Sequence, residues 1–345
     1  MARLVAILAL SSLLTHGNLA WGQLTLLRSF STEAIIPRGP DGIAYHPDED
    51  ELYAVDSSNA TLYRLTTAGE LLDSWTSPVP AFYEGIAVLP DGDLVVADGG
   101  LGNMVFFTPD LFKAGPAVDL SQVSPAPNGI VLVEETDTLF VTDDNALAIM
   151  ELDFDGRLLG QLSTTGIEAS FLEPEGIAWE PLSGHLLAVD DDQGKLYEIT
   201  TDGRLVREVD LEALTGFSDP EGLSYHAPSQ TLYIAFDSDG QVGVFHFEPI
   251  ATVFLRGDCN DDGSLDISDP INTLEMLFLG TFEITCDDAC DSNDDGAVDI
   301  ADVITTLGAL FLGNAVIPPP GFVECGIDLT PDEIGCETPP TSCRL

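Results

Sequence analysis

From about residue 24 to residue 250 apolar and polar residues alternate in short runs, such as Thr61 to Leu65 and Leu71 to Trp75, without the 3.6-residue recurrence of a helix. Runs of this kind predict strands with one face buried. Ala68-Gly69, Asp155-Gly156 and Asp202-Gly203 fall between such runs as hairpin turns. Beyond Gly257 the pattern changes. Two apolar-patterned stretches, Ile271 to Leu279 and Val303 to Leu312, predict helices that pack together, each preceded by an acidic loop.

One phrase recurs five times within the strand-rich part: Asp41-Gly42-Ile43-Ala44, Glu84-Gly85-Ile86-Ala87, Asn128-Gly129-Ile130-Val131, Glu175-Gly176-Ile177-Ala178 and Glu221-Gly222-Leu223-Ser224. The glycine-to-glycine steps are 43, 44, 47 and 46 residues. About ten residues after each phrase comes a second shared segment ending in Asp56, Asp98, Asp143, Asp190 or Asp237, followed by two further short runs. Four-stranded units of this length predict a mainly β fold, a five-bladed β-propeller. The fifth unit has only three strands, Gly222 to Tyr225, Thr231 to Phe236 and Gln241 to Phe247. Leu24 to Phe30 is an orphan strand before the first unit, so it is expected to become the outer strand of the last blade and remove an open edge.

With the Glu-Gly-Ile starts and the strands ending in Val-Asp or Ala-Asp, residues 24 to 250 resemble the NHL-type and calcium-dependent gluconolactonase-like propellers, and more particularly the SdiA-regulated family. If each phrase opens the innermost strand, Asp41, Glu84, Asn128, Glu175 and Glu221 stand at one height around one mouth of the channel. Hard oxygen ligands so placed suit Ca²⁺. The gluconolactonase resemblance implies metal-holding positions at Glu84 and Asn128. An acidic residue or Asn before Gly is also a turn former, so five copies are equally read as five identical turns. The aspartates that close the second segment are expected to tie the next turn through backbone amides.

Asp and Glu total 59 against 11 Lys and Arg, a net charge of −48, which excludes a nucleic-acid partner. Residues 1–22 read as a secretory signal: Arg3, the apolar run Leu4 to Leu14, and Ala20-Trp21-Gly22 before the cut. No later stretch is apolar enough to span a membrane, so export to a secreted or cell-surface location is expected. All six cysteines, at 259, 286, 290, 325, 336 and 343, lie in the last quarter. A Cys259–Cys290 bridge would clamp the two acidic loops together, leaving Cys286, Cys325, Cys336 and Cys343 to make two more, among the 15 complete pairings that six cysteines allow.

Those loops carry the most specific signal in the chain. Asp258, Asn260, Asp262, Asp266 and Asp269 occupy positions 1, 3, 5, 9 and 12 of the first, with Ser264 at position 7. Asp291, Asn293, Asp295, Asp299 and Asp302 repeat the pattern 33 residues later, with Ala297 at position 7. Side-chain oxygens at these positions, a backbone carbonyl at position 7 and glycine at position 6 form a calcium loop of EF-hand type. The pair resembles a dockerin, in which Asp replaces Glu at position 12. The resemblance implies a small all-α calcium-binding domain and a cohesin-like or cell-surface partner. Positions 10 and 11, Ile267-Ser268 and Ile300-Ala301, depart from the Ser-Thr-like pair by which cellulosomal dockerins recognise cohesin.

The expected organisation is a signal peptide at 1–22, a propeller at 23–250, a linker at 251–256, a dockerin-like domain at 257–314 and a Pro/Cys-rich tail at 315–345. The expected function is that of a secreted calcium-binding protein, its propeller holding an unidentified ligand or partner and its C-terminal module serving assembly or surface attachment. The alternatives are a calcium-dependent hydrolase of a lactone, phosphoester or similar ester at the channel mouth, and a polysaccharide-degrading component delivered by the dockerin. No Gly-x-Ser-x-Gly elbow, His-Glu-x-x-His helix or glycine-rich phosphate loop occurs.

Overall fold

The computed structural model describes residues 24–108, 114–249, 253–282, 284–323, 325–328, 330, 334–336 and 340–343. The leader read over 1–22 lies outside the described residues. The remainder forms two compact units, one within Gly22–Ala251 and one within Thr252–Leu345.

The first unit is a five-bladed propeller of four-stranded antiparallel sheets. The innermost strands are Gly42–His46, Tyr83–Val88, Ile130–Val133, Pro174–Glu180 and Pro220–His226. Side-chain alternation explains the burial gradient across a blade. Second strands such as Leu94–Asp98 and Thr138–Asp143 pack on both faces and are buried throughout. Outer strands such as Leu71–Thr76 are largely exposed. Gly69, Gly156 and Gly203 take positive φ of 87°, 78° and 88° in the hairpins anticipated at those sites.

Leu24–Ser31 pairs antiparallel with Gln241–Phe247 and becomes the outer strand of the fifth sheet, as the orphan strand required. Five apolar clusters fill the five junctions between neighbouring blades, and the one joining the last blade to the first contains Ile36, Ile43, Tyr233 and Val244. Burying each such side chain contributes about 1.5–3 kcal/mol. The ring is therefore held mainly by the junctions between sheets.

The phrase glycines stand where backbones converge on the axis. A Cβ on Gly42, Gly85, Gly129 or Gly176 would come within 2.5 Å of the carbonyl oxygen preceding the next blade's glycine, and one on Gly222 would meet Ile43 N at 2.7 Å. Only a residue without a side chain permits that approach.

In the second unit helices Ser268–Leu279 and Ile300–Leu307 pack on each other. Disulfides join Cys259 to Cys290, Cys286 to Cys336 and Cys325 to Cys343. The first is the clamp expected between the two loops, the second ties the Pro/Cys-rich stretch to the segment before the second loop, and the third closes a loop within that stretch. The stretch read as a linker differs from a spacer: Phe254 and Arg256 are wholly buried in this unit. Arg256 bonds the Asp291 carbonyl at 2.9 Å and pairs with Asp294 at 2.9 Å and Asp328 at 2.8 Å. Among the described residues no helix is long and apolar enough to cross a membrane.

Candidate functional site

Asp41, Glu84, Asn128, Glu175 and Glu221 immediately precede the phrase glycines, and the glycine ring brings them together at one channel mouth. Asp41 accepts from the Ser57 amide and hydroxyl, both at 2.8 Å. The Asn128 amide donates to Glu175 at 2.7 Å. The largest charge effects on the four acids all come from other carboxylates. Burial, reinforced by their mutual repulsion, pushes Asp41 up to about 6, Glu84 to about 8 and Glu175 to about 9. Glu221 is raised well above the ordinary range for the same reasons.

Asp144 and Asp191, from other turns, and Glu173, two residues before Glu175, add to this mouth. Asp144, Glu173 and Glu175 are the one trio of acidic side chains among the described residues whose oxygens all lie within 4.8 Å of one another. Asp191 also acts on Glu175 and is itself pushed up to about 6 by burial and by Glu173. Glu173 was not singled out from the sequence. Its signal was the doubled Glu-Pro-Glu before Gly176, which placed a second carboxylate two residues from a ring position.

The aspartates that end the second strands have the tying role expected of them. Asp98 accepts from the amides of Phe82 and Leu101, Asp143 from Ala126 and Ala146, and Asp190 from Leu172 and Gln193. Each ties the turn after its own strand to the segment leading into that blade's inner strand, thereby fixing the height of the ring.

The two acidic loops of the C-terminal unit share one hydrogen-bond frame. At position 1, Asp258 accepts from the amides of Asp262 and Gly263, and Asp291 from those of Asp295 and Gly296. At position 12, Asp269 accepts from Asn260 and Asp266, and Asp302 from Asn293 and Asp299. Positions 4 and 6 have positive φ in both: Asp261 55°, Gly263 82°, Asp294 63°, Gly296 78°. Burial pushes Asp269 up to about 6 and Asp302 to about 7, with neighbouring carboxylates adding to the rise. No three carboxylates of either loop approach the spacing of the propeller trio. The donor set is nonetheless all oxygen, the glycine turns are in place, and the closing aspartates are preoriented, so the residues fit a hard divalent cation.

Each position-4 aspartate anchors another segment. Asp261 accepts from the Thr341 hydroxyl at 2.7 Å and the Ser342 amide at 2.8 Å, and Asp294 from the Thr330 hydroxyl at 2.8 Å. The disulfide-tied tail is thus stitched to both loops.

A model of the SdiA-regulated family matches residues 34–112 and 172–260, which take in blades one and four and the three inner strands of blades two and five. No curated protein matches the sequence. Among solved structures, the chain is similar to glutaminyl cyclase of Myxococcus xanthus at 13% identity and TM-score 0.54, over 66% of this chain and 97% of that one. A streptogramin B lyase aligns at 15% identity and TM-score 0.45, over 66% and 98% of the two chains. Virginiamycin B lyase of Staphylococcus aureus aligns at 16% and 0.40, over 62% and 67%. At such identities the likeness to the cyclase speaks for the fold alone, and the two lyase alignments are weaker still. The chain carries a β-propeller of the SdiA-regulated and NHL type.

Proposed function

We propose that this is an exported calcium-binding protein of two modules: a ligand- or partner-binding propeller and a dockerin-like EF-hand module that attaches it to an assembly or a surface. The observation that carries the reading is the frame of amide hydrogen bonds that both twelve-residue loops repeat 33 positions apart. Asp258, Asn260, Asp262, Asp266 and Asp269 would hold one Ca²⁺ with the Ser264 carbonyl. Asp291, Asn293, Asp295, Asp299 and Asp302 would hold the other with the Ala297 carbonyl. The cations would neutralise oxygens that otherwise repel one another.

Exposed apolar residues recur at the same spacing and support the attachment role. Ile267 and Ile300, Ile271 and Ile304, and Phe278 and Phe311 are all 47–69% exposed. Exposed large apolar residues repeated on both helical units are what interaction surfaces carry. Three disulfides support residence in an oxidising compartment.

Calcium titration of the full chain by calorimetry, with limited proteolysis in chelator, tests the reading. Two sites lost in the Asp258→Asn/Asp291→Asn variant, and chelator-induced cleavage confined to residues 257–314, are the expected outcome. An unchanged digestion pattern after exhaustive chelation refutes it.

The convergence of Asp144, Glu173 and Glu175 beside Asn128 favours a second reading, a metal-dependent hydrolase acting at the acidic mouth. Turnover of a lactone or phosphoester that depends on Ca²⁺ and disappears in Glu175→Gln would select it. No turnover across both substrate classes would leave the binding role.

A further inference from the structure

At the far end of the inner strands, the channel opens into a cavity of about 530 Å³, large enough for a small organic molecule. Between this cavity and the acidic mouth lies a waist with room of about 10 Å³, formed where the phrase glycines crowd the axis. Nothing larger than about one water passes such a constriction. The two mouths are therefore separate sites.

The cavity's chemistry is selective. Ile86, Ile130, Ile177 and Leu223 give it an apolar floor, and Tyr45, Trp179 and Tyr225 supply aromatic surface. Its lining includes Asp48, Glu134 and Glu135, all exposed, and neither Lys nor Arg. Trp179 donates to Glu135 at 3.0 Å, and Tyr45 donates to Asp50 at 2.9 Å, so two of the three aromatic groups are held by carboxylates. His46 also lines the cavity and is only 4% exposed, yet neither of its ring nitrogens has a hydrogen-bond partner. The buried Tyr225 hydroxyl is unpartnered as well. Leaving buried polar groups unmatched costs about 1–3 kcal/mol each, so both mark a wall of the cavity that is built with polar groups held out of water.

The geometry points to a binding site for a small organic cation, a primary to quaternary ammonium on an apolar or aromatic body. Aromatic faces attract such a charge, the acidic rim retains it, and the apolar floor accepts the rest of the molecule. A bare metal ion would find no compact set of oxygens here, and an anion would meet three carboxylates with no lysine or arginine to offset them, His46 and His226 being the cavity's only basic side chains. The net charge of −48 draws cations from solution. This inference rests on the reading of the propeller as a binding module and is independent of the calcium loops.

The test is calorimetric titration of the full chain with benzyltrimethylammonium, benzyl alcohol and benzoate. One saturable site is expected, with the cation bound at least tenfold more tightly than the alcohol and benzoate not bound. Glu134→Gln/Glu135→Gln should weaken the cation at least fivefold, Trp179→Leu should weaken it further, and Asp41→Asn/Glu84→Gln at the opposite mouth should leave it unchanged. Equal affinity for the alcohol, or insensitivity to the glutamate pair, overturns the inference even if Trp179→Leu fails to fold. Binding abolished by Asp41→Asn/Glu84→Gln also overturns it, while preserving the propeller as a binding module that uses its acidic mouth. Absence of saturable heat with all three probes rejects the cation site.

Discussion

Replacing Gly85 by alanine sets a methyl group 2.2 Å from the Asn128 carbonyl oxygen and 2.9 Å from Gly129 Cα. Ordinary contact begins near 3.4 Å, so the first overlap exceeds 1 Å. Both neighbours are backbone, and no rotamer change relieves them. The inner strands of blades two and three must move apart, loosening the cluster that contains Ile130, Leu132, Leu139 and Val141. Overpacking of this kind costs about 1–3 kcal/mol, and a backbone clash falls at the upper end. For a unit of this size about 3 kcal/mol lowers the melting temperature by about 6–12 °C. Gly166→Ala is the control, because its nearest neighbour is the Ser163 side chain at 3.4 Å. That substitution should leave stability unchanged or raise it by about 0.5–1 kcal/mol. Thermal unfolding followed by circular dichroism at fixed calcium measures both. If Gly85→Ala melts with the wild type, the glycines are turn formers only and the crowded-axis account is wrong.

Three further outcomes follow from the same geometry. Because Glu84, Glu175 and Glu221 have raised pKa values, the folded propeller binds protons more tightly than the unfolded chain. Its chelator-treated stability should therefore be highest near the ordinary carboxyl range and fall from about pH 5 to pH 9. Glu175→Gln should flatten that fall, and a profile rising over the same interval would contradict the burial argument. Arg256→Met should destabilise the C-terminal unit by about 3–5 kcal/mol by leaving Asp294 and Asp328 without their buried cation. Arg256→Lys should not restore it, since an ammonium lacks the planar fork, and proteolysis of residues 252–345 reads the loss. Deleting residues 24–31 should expose the Gln241–Phe247 edge and shift the protein to aggregate on size exclusion, whereas a soluble, native-melting product would show that the closing strand is dispensable.

Much of the candidate site is legible in the sequence. The ring residues announced themselves by recurring one place before a glycine, because a repeated fold repeats its local chemistry at a fixed period. The calcium-type loops were legible because all their donors lie within twelve consecutive residues, and the Cys259–Cys290 bridge because each cysteine neighbours a loop. Glu173 and Asp144 were harder. They come from turns of different blades, 29 residues apart, and no local pattern marks a convergence across a blade junction. Arg256 was hidden for a related reason: its partners Asp294 and Asp328 lie 38 and 72 residues away, so a short stretch between modules gave no sign of a buried cation.

Alternation and repetition along the chain were sufficient to establish the strands, the number of blades and the closing role of Leu24–Ser31, since each depends on spacing between near neighbours. Ring closure decided the rest. Packing five sheets about one axis draws the inner backbones together until only glycine fits, raises the proton affinity of the acids beside them, and leaves a tight waist between an acidic mouth and an aromatic one. Those properties depend on distances between residues forty or more positions apart, which no stretch of sequence contains and only the assembled ring sets.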